Sequence, residues 1–300
     1  MKIILMKNCQ SDERRAPGVG GGKSGALRPA GSRPSTFGSQ PGLAFTIVEL
    51  LTVIAIIAIL AALLLPVLSK AKTTAKKRQA QVEITQIVGA IQQYDSVYGR
   101  YPVSTNAQAN GANDVTYGCQ MTNNGIAWPA VLPTPTTPAQ PYFITNNAEV
   151  IAILMDLTNY PDPSLGFTVN AGHQKNPQQT VFLNAKMSGD KPGVVPYQPG
   201  VGPDLVYRDP WGNPYFITMD LNYDEQCRDA LYCQASVSQI TTGSAGYNGL
   251  VDPTDPTGSD NNFLYHGKVM VWSAGPDGLA GPGAKANAGV NKDNILSWQQ

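Results

Sequence analysis

From Leu50 to Leu65 every position is apolar except Thr52, and no charge falls between Glu49 and Lys70. Counted from Phe45 to Leu68, this segment makes a helix about 36 Å long at ~1.5 Å per residue, enough to cross a ~30 Å hydrocarbon core. The pattern then changes. Ile84, Ile87, Val88, Ile91, Tyr94 and Tyr98 recur at spacings of three and four, which predicts an amphipathic continuation packed against a head. Gly99, followed by Tyr101-Pro102, predicts the helix stop. One long helix is therefore expected over residues 45–99, membrane-anchoring over roughly 45–68 and amphipathic over 69–99. Pro66 lies inside it and cannot donate to the carbonyl of Ala62, so a kink or weak point is expected there.

Beyond the helix the periodicity weakens. Residues 103–142 are rich in Asn, Thr, Ala and Pro, which argues against regular structure. Asn147 is placed to cap a short helix over 148–157. Thr180-Val-Phe-Leu183 reads as a short strand, and prolines break the rest of 165–205. Runs at 215–221, 235–241 and 268–273, joined by Gly/Pro/Asn turns, predict a small antiparallel sheet laid against the upper part of the helix. The fold class is α+β, with a head over 100–300 and a large loop-rich insertion over roughly 103–203.

Charge refines the picture. Formal net charge is zero, yet residues 1–44 carry a net of +5 and the residues beyond Arg100 a net of −8. A basic leader kept in the cytoplasm would orient the helix by the positive-inside tendency. The acidic head excludes a nucleic-acid surface, which needs a basic patch, and suits hard cations. The basic band Lys70, Lys72, Lys76, Lys77 and Arg78 reads as a solvated face at the lipid head groups. Gly20-Gly-Gly-Lys-Ser24 invites a phosphate-loop reading, but the first glycine of that motif would fall at Pro17 and no strand precedes it. Of the four cysteines, Cys227 and Cys233 are spaced to close a small loop in an oxidising compartment, while Cys119 is left odd. The two histidines are far apart, and nothing assembles a nucleophile with a base. No enzyme is expected.

Glu49 is the one ionised group at the start of the apolar segment, and a carboxylate there calls for a partner. Cleavage before Phe45 would supply an α-ammonium one helical turn away. Ala-Phe-Thr-Ile-Val-Glu-Leu-Leu-Thr-Val-Ile-Ala-Ile-Ile-Ala-Ile-Leu resembles the processing signal of type IV pilins and type II secretion pseudopilins. The resemblance implies that a prepilin peptidase removes residues 1–44 and methylates Phe45, and that Glu49 guides assembly into a helical filament. Ala44 stands where that family usually has glycine, with Gly42 two residues earlier. An uncleaved signal anchor would give the same hydropathy without accounting for a Glu at that spacing, and a secretory signal peptide cleaved after Ser69-Lys70-Ala71 would normally have an apolar region of only about 7–15 residues. Pro66 matches a proline at which related helices loosen in filaments. Tyr94-Asp-Ser-Val-Tyr-Gly-Arg-Tyr-Pro102 resembles the end of the family's long helix.

Asp209-Pro-Trp-Gly-Asn-Pro214 and the following Tyr215 are similar to a signature of the major pseudopilin, where Trp211 is expected as a core aromatic. Ser273-Ala-Gly-Pro-Asp-Gly278 and Lys292-Asp-Asn-Ile-Leu-Ser-Trp298 resemble the segments that fold around one calcium ion in that family. The resemblance implies carboxylates from Asp277 and Asp293 and main-chain oxygens from Ala274 and Pro276. Asn294 replaces an aspartate, keeping an oxygen but losing a charge. The separate Asp252/Asp255/Asp260 cluster reads as a solvated loop.

The implied function is structural: a major-pseudopilin-like subunit of a periplasmic filament acting in protein export. Implied partners are other copies of the chain, the prepilin peptidase, the inner-membrane assembly platform and membrane lipid, and no nucleic acid. The alternatives are a surface pilin for adhesion or motility, a membrane-anchored binding protein and an anchored enzyme.

Overall fold

A computed structural model describes residues 46–110, 114–118, 120–122, 125–127, 142–144 and 146–299. Its contacts divide the chain into two units, Met1–Ile57 and Ala58–Gln300. Helix α1 (Ile47–Tyr98) carries one segment long and apolar enough to cross a membrane. Every residue from 46 to 75 is exposed, and burial begins with Ala80, Ile84, Ile87, Ala90, Ile91 and Tyr94. The predicted stripe is thus the buried face, with Val88 and Tyr98 at its margin. Each fully buried Ile contributes about 1.5–3 kcal/mol, which holds the second half of the helix to the head. The helix runs unbroken through Pro66. It ends where Gly99, at φ +63°, donates to the carbonyl of Asp95.

Helix α2 (Thr105–Asn110) follows, then strands β1 (Val115–Tyr117), β2 (Gln120–Thr122), β3 (Gly125–Ala127) and β4 (Tyr142–Ile144), and helix α3 (Ala148–Leu154). Next come β5 (Gly200–Val201), β6 (Tyr207–Arg208), β7 (Phe216–Met219), β8 (Gln226–Cys227) and α4 (Ala235–Ser238). The last elements are β9 (Tyr265–His266), β10 (Val269–Ser273) and β11 (Ile295–Leu296). The central sheet has the order β11-β10-β7-β1-β4, antiparallel throughout except for the parallel β1–β4 pair.

Alternation along these strands separates two cores. Ile217, Met219, Val269, Val271 and Ile295 join the buried face of α1 and α3. Phe216, Met270, Trp272 and Leu296 face the other way and pack with Tyr232, Leu250, Phe263 and Trp298. The α+β class and the sheet against the upper helix are therefore seen. The 103–203 segment, expected as a loop-rich insertion, is more regular in part: it supplies β1 and β4 to the central sheet, where the buried β1 pairs with β7 on one side, Thr116 opposite Thr218, and with β4 on the other.

Other expectations also change. Residues 180–183 form no strand; the amides of Phe182 and Leu183 both donate to the carbonyl of Leu154 and close the end of α3. Residues 235–241 hold the turn α4 instead of a strand, with the amides of Val237 and Ser238 folding back onto the carbonyl of Gln234. Asn147 precedes α3 without capping it. Its side chain bridges two segments instead, donating to the carbonyls of Tyr207 and Tyr215 and accepting from the Tyr207 amide. The Cys227–Cys233 disulfide is not formed. Both thiols are free and buried, Cys227 held in the β8–β9 pair and Cys233 with its Sγ 3.7 Å from the carbonyl of Ala230. Cys119 lies outside the described residues.

Candidate functional sites at the two ends of the described chain

Gly42, Ala44 and Phe45 lie outside the described residues. Glu49 is exposed at the start of α1, and its partner is Thr46. Glu49 Oε2 accepts from the Thr46 amide at 2.9 Å and from its hydroxyl at 2.7 Å, while the Glu49 amide donates to Thr46 Oγ1 at 3.2 Å. This reciprocal pair is a capping box, and it satisfies donors that a helix start leaves open. The sequence carries the signal for it in Thr46-Ile-Val-Glu49, a Thr-x-x-Glu spacing ahead of an apolar run. Glu49 therefore has a local structural task besides any intermolecular one.

Farther along α1 the basic band is not uniformly solvated. Lys76 donates to the carbonyl of Pro210 at 2.7 Å, and its ammonium lies 5.7 Å from the centre of the Trp211 ring. Trp211 is half-buried at the margin of the first core instead of inside it. Lys70, Lys72 and Arg78 stay exposed.

Asp209 ties the 209–214 turn to the turn that follows β10. Its Oδ1 accepts from the amides of Trp211 and Asn213 at 2.9 Å each, and its Oδ2 accepts from the Ser273 hydroxyl at 2.6 Å. Burial pushes its carboxyl up to about 6 despite these donors. Ser273 opens the turn that carries Asp277, so the fold of residues 209–214 positions that turn.

Within the turn, Gly275 has φ +71°, and a Cβ there would lie 2.3 Å from the carbonyl oxygen of Asp293. Only glycine permits that approach. It brings the 292–294 segment against the turn, where the Asp277 amide donates to Asp293 Oδ2 at 3.4 Å. Partial burial raises the pKa of Asp277, and the neighbouring charge of Asp293 adds to the rise. Ala274 is buried and Pro276 half-buried in the same turn. Asn294 behaves differently. Its amide nitrogen donates to the Tyr232 hydroxyl at 2.9 Å in the second core, and its Oδ1 is buried with no hydrogen-bond partner.

The adjacent carboxylates of Asp277 and Asp293 offer oxygen donors only, which fits a hard cation such as calcium, whereas the Asn294 side chain is held at Tyr232 in the second core. Among the described residues, no three His, Cys, Asp or Glu side chains gather as a metal-binding group. The expectation of a solvated 252–260 loop holds only in part, since Asp252 is buried while Asp260 is exposed.

No family model matches the chain, and neither does any curated protein or solved structure.

Proposed function

We propose that this chain is a prepilin-like structural subunit, anchored by the apolar part of α1 and assembled through it into a filament of the type II secretion pseudopilus kind. The observation that carries the reading is the exposure of every residue from 46 to 75 on an apolar, nearly uncharged helix. In water so large an apolar surface is untenable. Lipid covers it in the anchored subunit, and a bundle of identical helices covers it in a filament. With the leader removed before Phe45, the new ammonium of one copy would pair with Glu49 of another and set the register, since a charge left unpaired among apolar helices is costly. The head over 100–300 would then face the periplasm.

The donor set at the C-terminal turn supports calcium as a structural ion of this subunit. Asp277 and Asp293 and the main-chain oxygens of Ala274 and Pro276 are the residues to hold it. When bound, the ion would supply positive charge that relieves the repulsion between the two carboxylates and locks the turn. The role proposed for the protein is mechanical, in protein export, and uses no catalytic group.

The capping box makes the test sharper. Glu49→Gln retains the cap, because glutamine serves at that position too, but removes the charge; Glu49→Ala removes both. If the charge guides assembly, both variants insert in membranes and neither forms filaments. Normal filaments from Glu49→Gln would reduce Glu49 to a helix cap and overturn the assembly role. Mass spectrometry of the membrane fraction supplies the companion measurement: N-methyl-Phe45 at the mature terminus is expected, and an intact leader sinks the filament reading.

A further inference from the structure

Residues 252–262 cross the edge of the second core, where Asp252 is 2% exposed and Asn262 is 5% exposed. Asp252 Oδ1 accepts from the amides of Thr254 and Asp255 at 3.1 Å each and contacts the Thr254 hydroxyl at 3.0 Å. Its second oxygen, Oδ2, is buried with no hydrogen-bond partner. Asn262 repeats the situation: its amide nitrogen donates to Thr254 Oγ1 at 2.7 Å, and its Oδ1 is buried with no partner. Asp260 Oδ2 lies 2.8 Å from the same hydroxyl. Three side chains converge on Thr254, whose single proton serves only one of the two carboxylates.

What is missing here is positive charge. Residues 229–267 contain no lysine or arginine, and among the described residues neither Asp252 nor Asp260 has an ion-pair partner. The two carboxylates are forced together, Asp252 Oδ1 at 3.0 Å and Asp260 Oδ2 at 2.8 Å from the one Thr254 hydroxyl. Asp255 takes no part, because its carboxylate is occupied by Thr257 and Ser259. Buried acceptors are almost always satisfied, and two orphaned oxygens beside a second carboxylate have a common remedy.

We propose that Asp252, Asp260 and Asn262 bind one calcium ion, at a site separate from the C-terminal turn. All the available donors are oxygens, which excludes soft metals. The ligands come from one short loop, which suits the adaptable geometry of calcium better than the strict octahedron of magnesium. Main-chain oxygens and water complete the shell. The site would pin the 252–262 loop to the core residues Phe263 and Leu264 that follow it.

The test uses the full chain in nonionic detergent. Asp277→Asn and Asp293→Asn, introduced together, silence the C-terminal pair, so the two calcium assignments stand or fall separately. Equilibrium dialysis with radioactive calcium should find one ion retained in that background at about 1 mM, the range of extracellular modules. Adding Asp260→Asn, an exposed substitution that leaves the fold intact, should weaken binding at least tenfold by analogy with ligand-charge tuning. Adding Asp252→Asn should abolish it, along with the calcium-dependent rise in Tm. If the two acids merely share a proton, Asp260→Asn raises Tm with or without calcium and the background binds none. That result, or calcium binding undiminished by Asp260→Asn, overturns the proposal.

Discussion

The buried phenol of Tyr215 donates a 2.6 Å hydrogen bond to Glu83 Oε2, joining the segment just before β7 to the amphipathic half of α1. Burial, reinforced by the negative charge of Glu83, raises the Tyr215 pKa, so the phenol remains a donor throughout the working pH range. The two ends are unequal. Glu83 is half-exposed and also accepts from Gln79 at 2.9 Å, whereas the Tyr215 ring is fully buried.

Truncating the two ends should therefore have unequal costs. Tyr215→Phe leaves a carboxylate that water and Gln79 can serve, at about 1 kcal/mol. Glu83→Ala strands a buried hydroxyl and also loses a good acceptor, at about 2 kcal/mol. Urea unfolding of the full chain in detergent, followed by tryptophan fluorescence, compares them. Equal costs, or a larger loss in Tyr215→Phe, would contradict the geometry.

A second prediction concerns Asp229, which no sequence pattern singled out. It is buried on the side of the sheet away from α1 and accepts four hydrogen bonds. They come from the Thr218 hydroxyl at 2.6 Å, the Trp272 indole at 3.0 Å and the amides of Leu231 and Tyr232. The same Trp272 stacks on Phe216 with ring centres 3.8 Å apart. Asp229→Ala orphans all four donors at once and should cost on the order of 3–5 kcal/mol. That is a large share of a typical total stability of about 5–15 kcal/mol. Asp229→Asn, which keeps one acceptor oxygen, should fall between the two. A loss under about 0.5 kcal/mol for the alanine variant, the range of ordinary surface changes, would show that the network does not hold the second core.

Sequence alone revealed what repeats or punctuates. The stripe from Ile84 to Tyr94 has a period, Gly99 has a positive φ, and β7 and β10 are β-branched or aromatic runs between turns, so all were legible. The approach of Asp277 to Asp293 was legible through its resemblance to a known pattern. What escaped depends on long-range partners. Strand β1 is three residues long, and only its pairing with β7 and β4 makes it a strand. Asn147 looks like a cap until Tyr207 and Tyr215 arrive from 60 and 68 residues away. Residues 235–238 carry strand-compatible side chains, but local hydrogen bonds to Gln234 win. Burial of Asp252 was hidden for the same reason, since nothing in a run of Asp, Pro, Thr and Gly announces which oxygen will lose its water.

The free thiols yield a third prediction. Cys227 and Cys233 are fully buried, and burial pushes the Cys233 thiol up to about 12 and raises Cys227 as well. Only the thiolate reacts, so both residues should resist iodoacetamide at pH 8 in the native protein and alkylate readily in guanidinium. Peptide mass spectrometry should then find them unlinked. A recovered 227–233 disulfide in protein purified from an oxidising compartment would refute the free-thiol arrangement.

The fourth prediction is a pH dependence of unusual sign, centred on Asp114. This carboxyl is 3% exposed; its Oδ2 accepts from the Arg228 amide at 2.7 Å, and its Oδ1 is buried with no hydrogen-bond partner. Burial pushes its pKa up to about 7, with the charges of Asp220 and Asp224 adding to the rise against the lowering effect of Arg228. In the unfolded chain the same group titrates near ~3.9. Between those values the folded state holds a proton that the unfolded state has released, so stability falls as pH rises. Asp209, pushed up to about 6, acts in the same direction over the lower part of that window. On these two groups the protein should therefore lose about 4 kcal/mol between pH 5 and pH 8, where most proteins are near their maximum. Asp114→Asn removes the larger contribution: the variant should be the more stable protein at pH 8, with its advantage narrowing steadily toward pH 4. Urea midpoints measured across that range in a nonionic detergent decide the matter. A wild type that gains stability from pH 5 to pH 8, or an Asn variant with the same slope as the wild type, would mean that Asp114 does not carry its proton in the folded head.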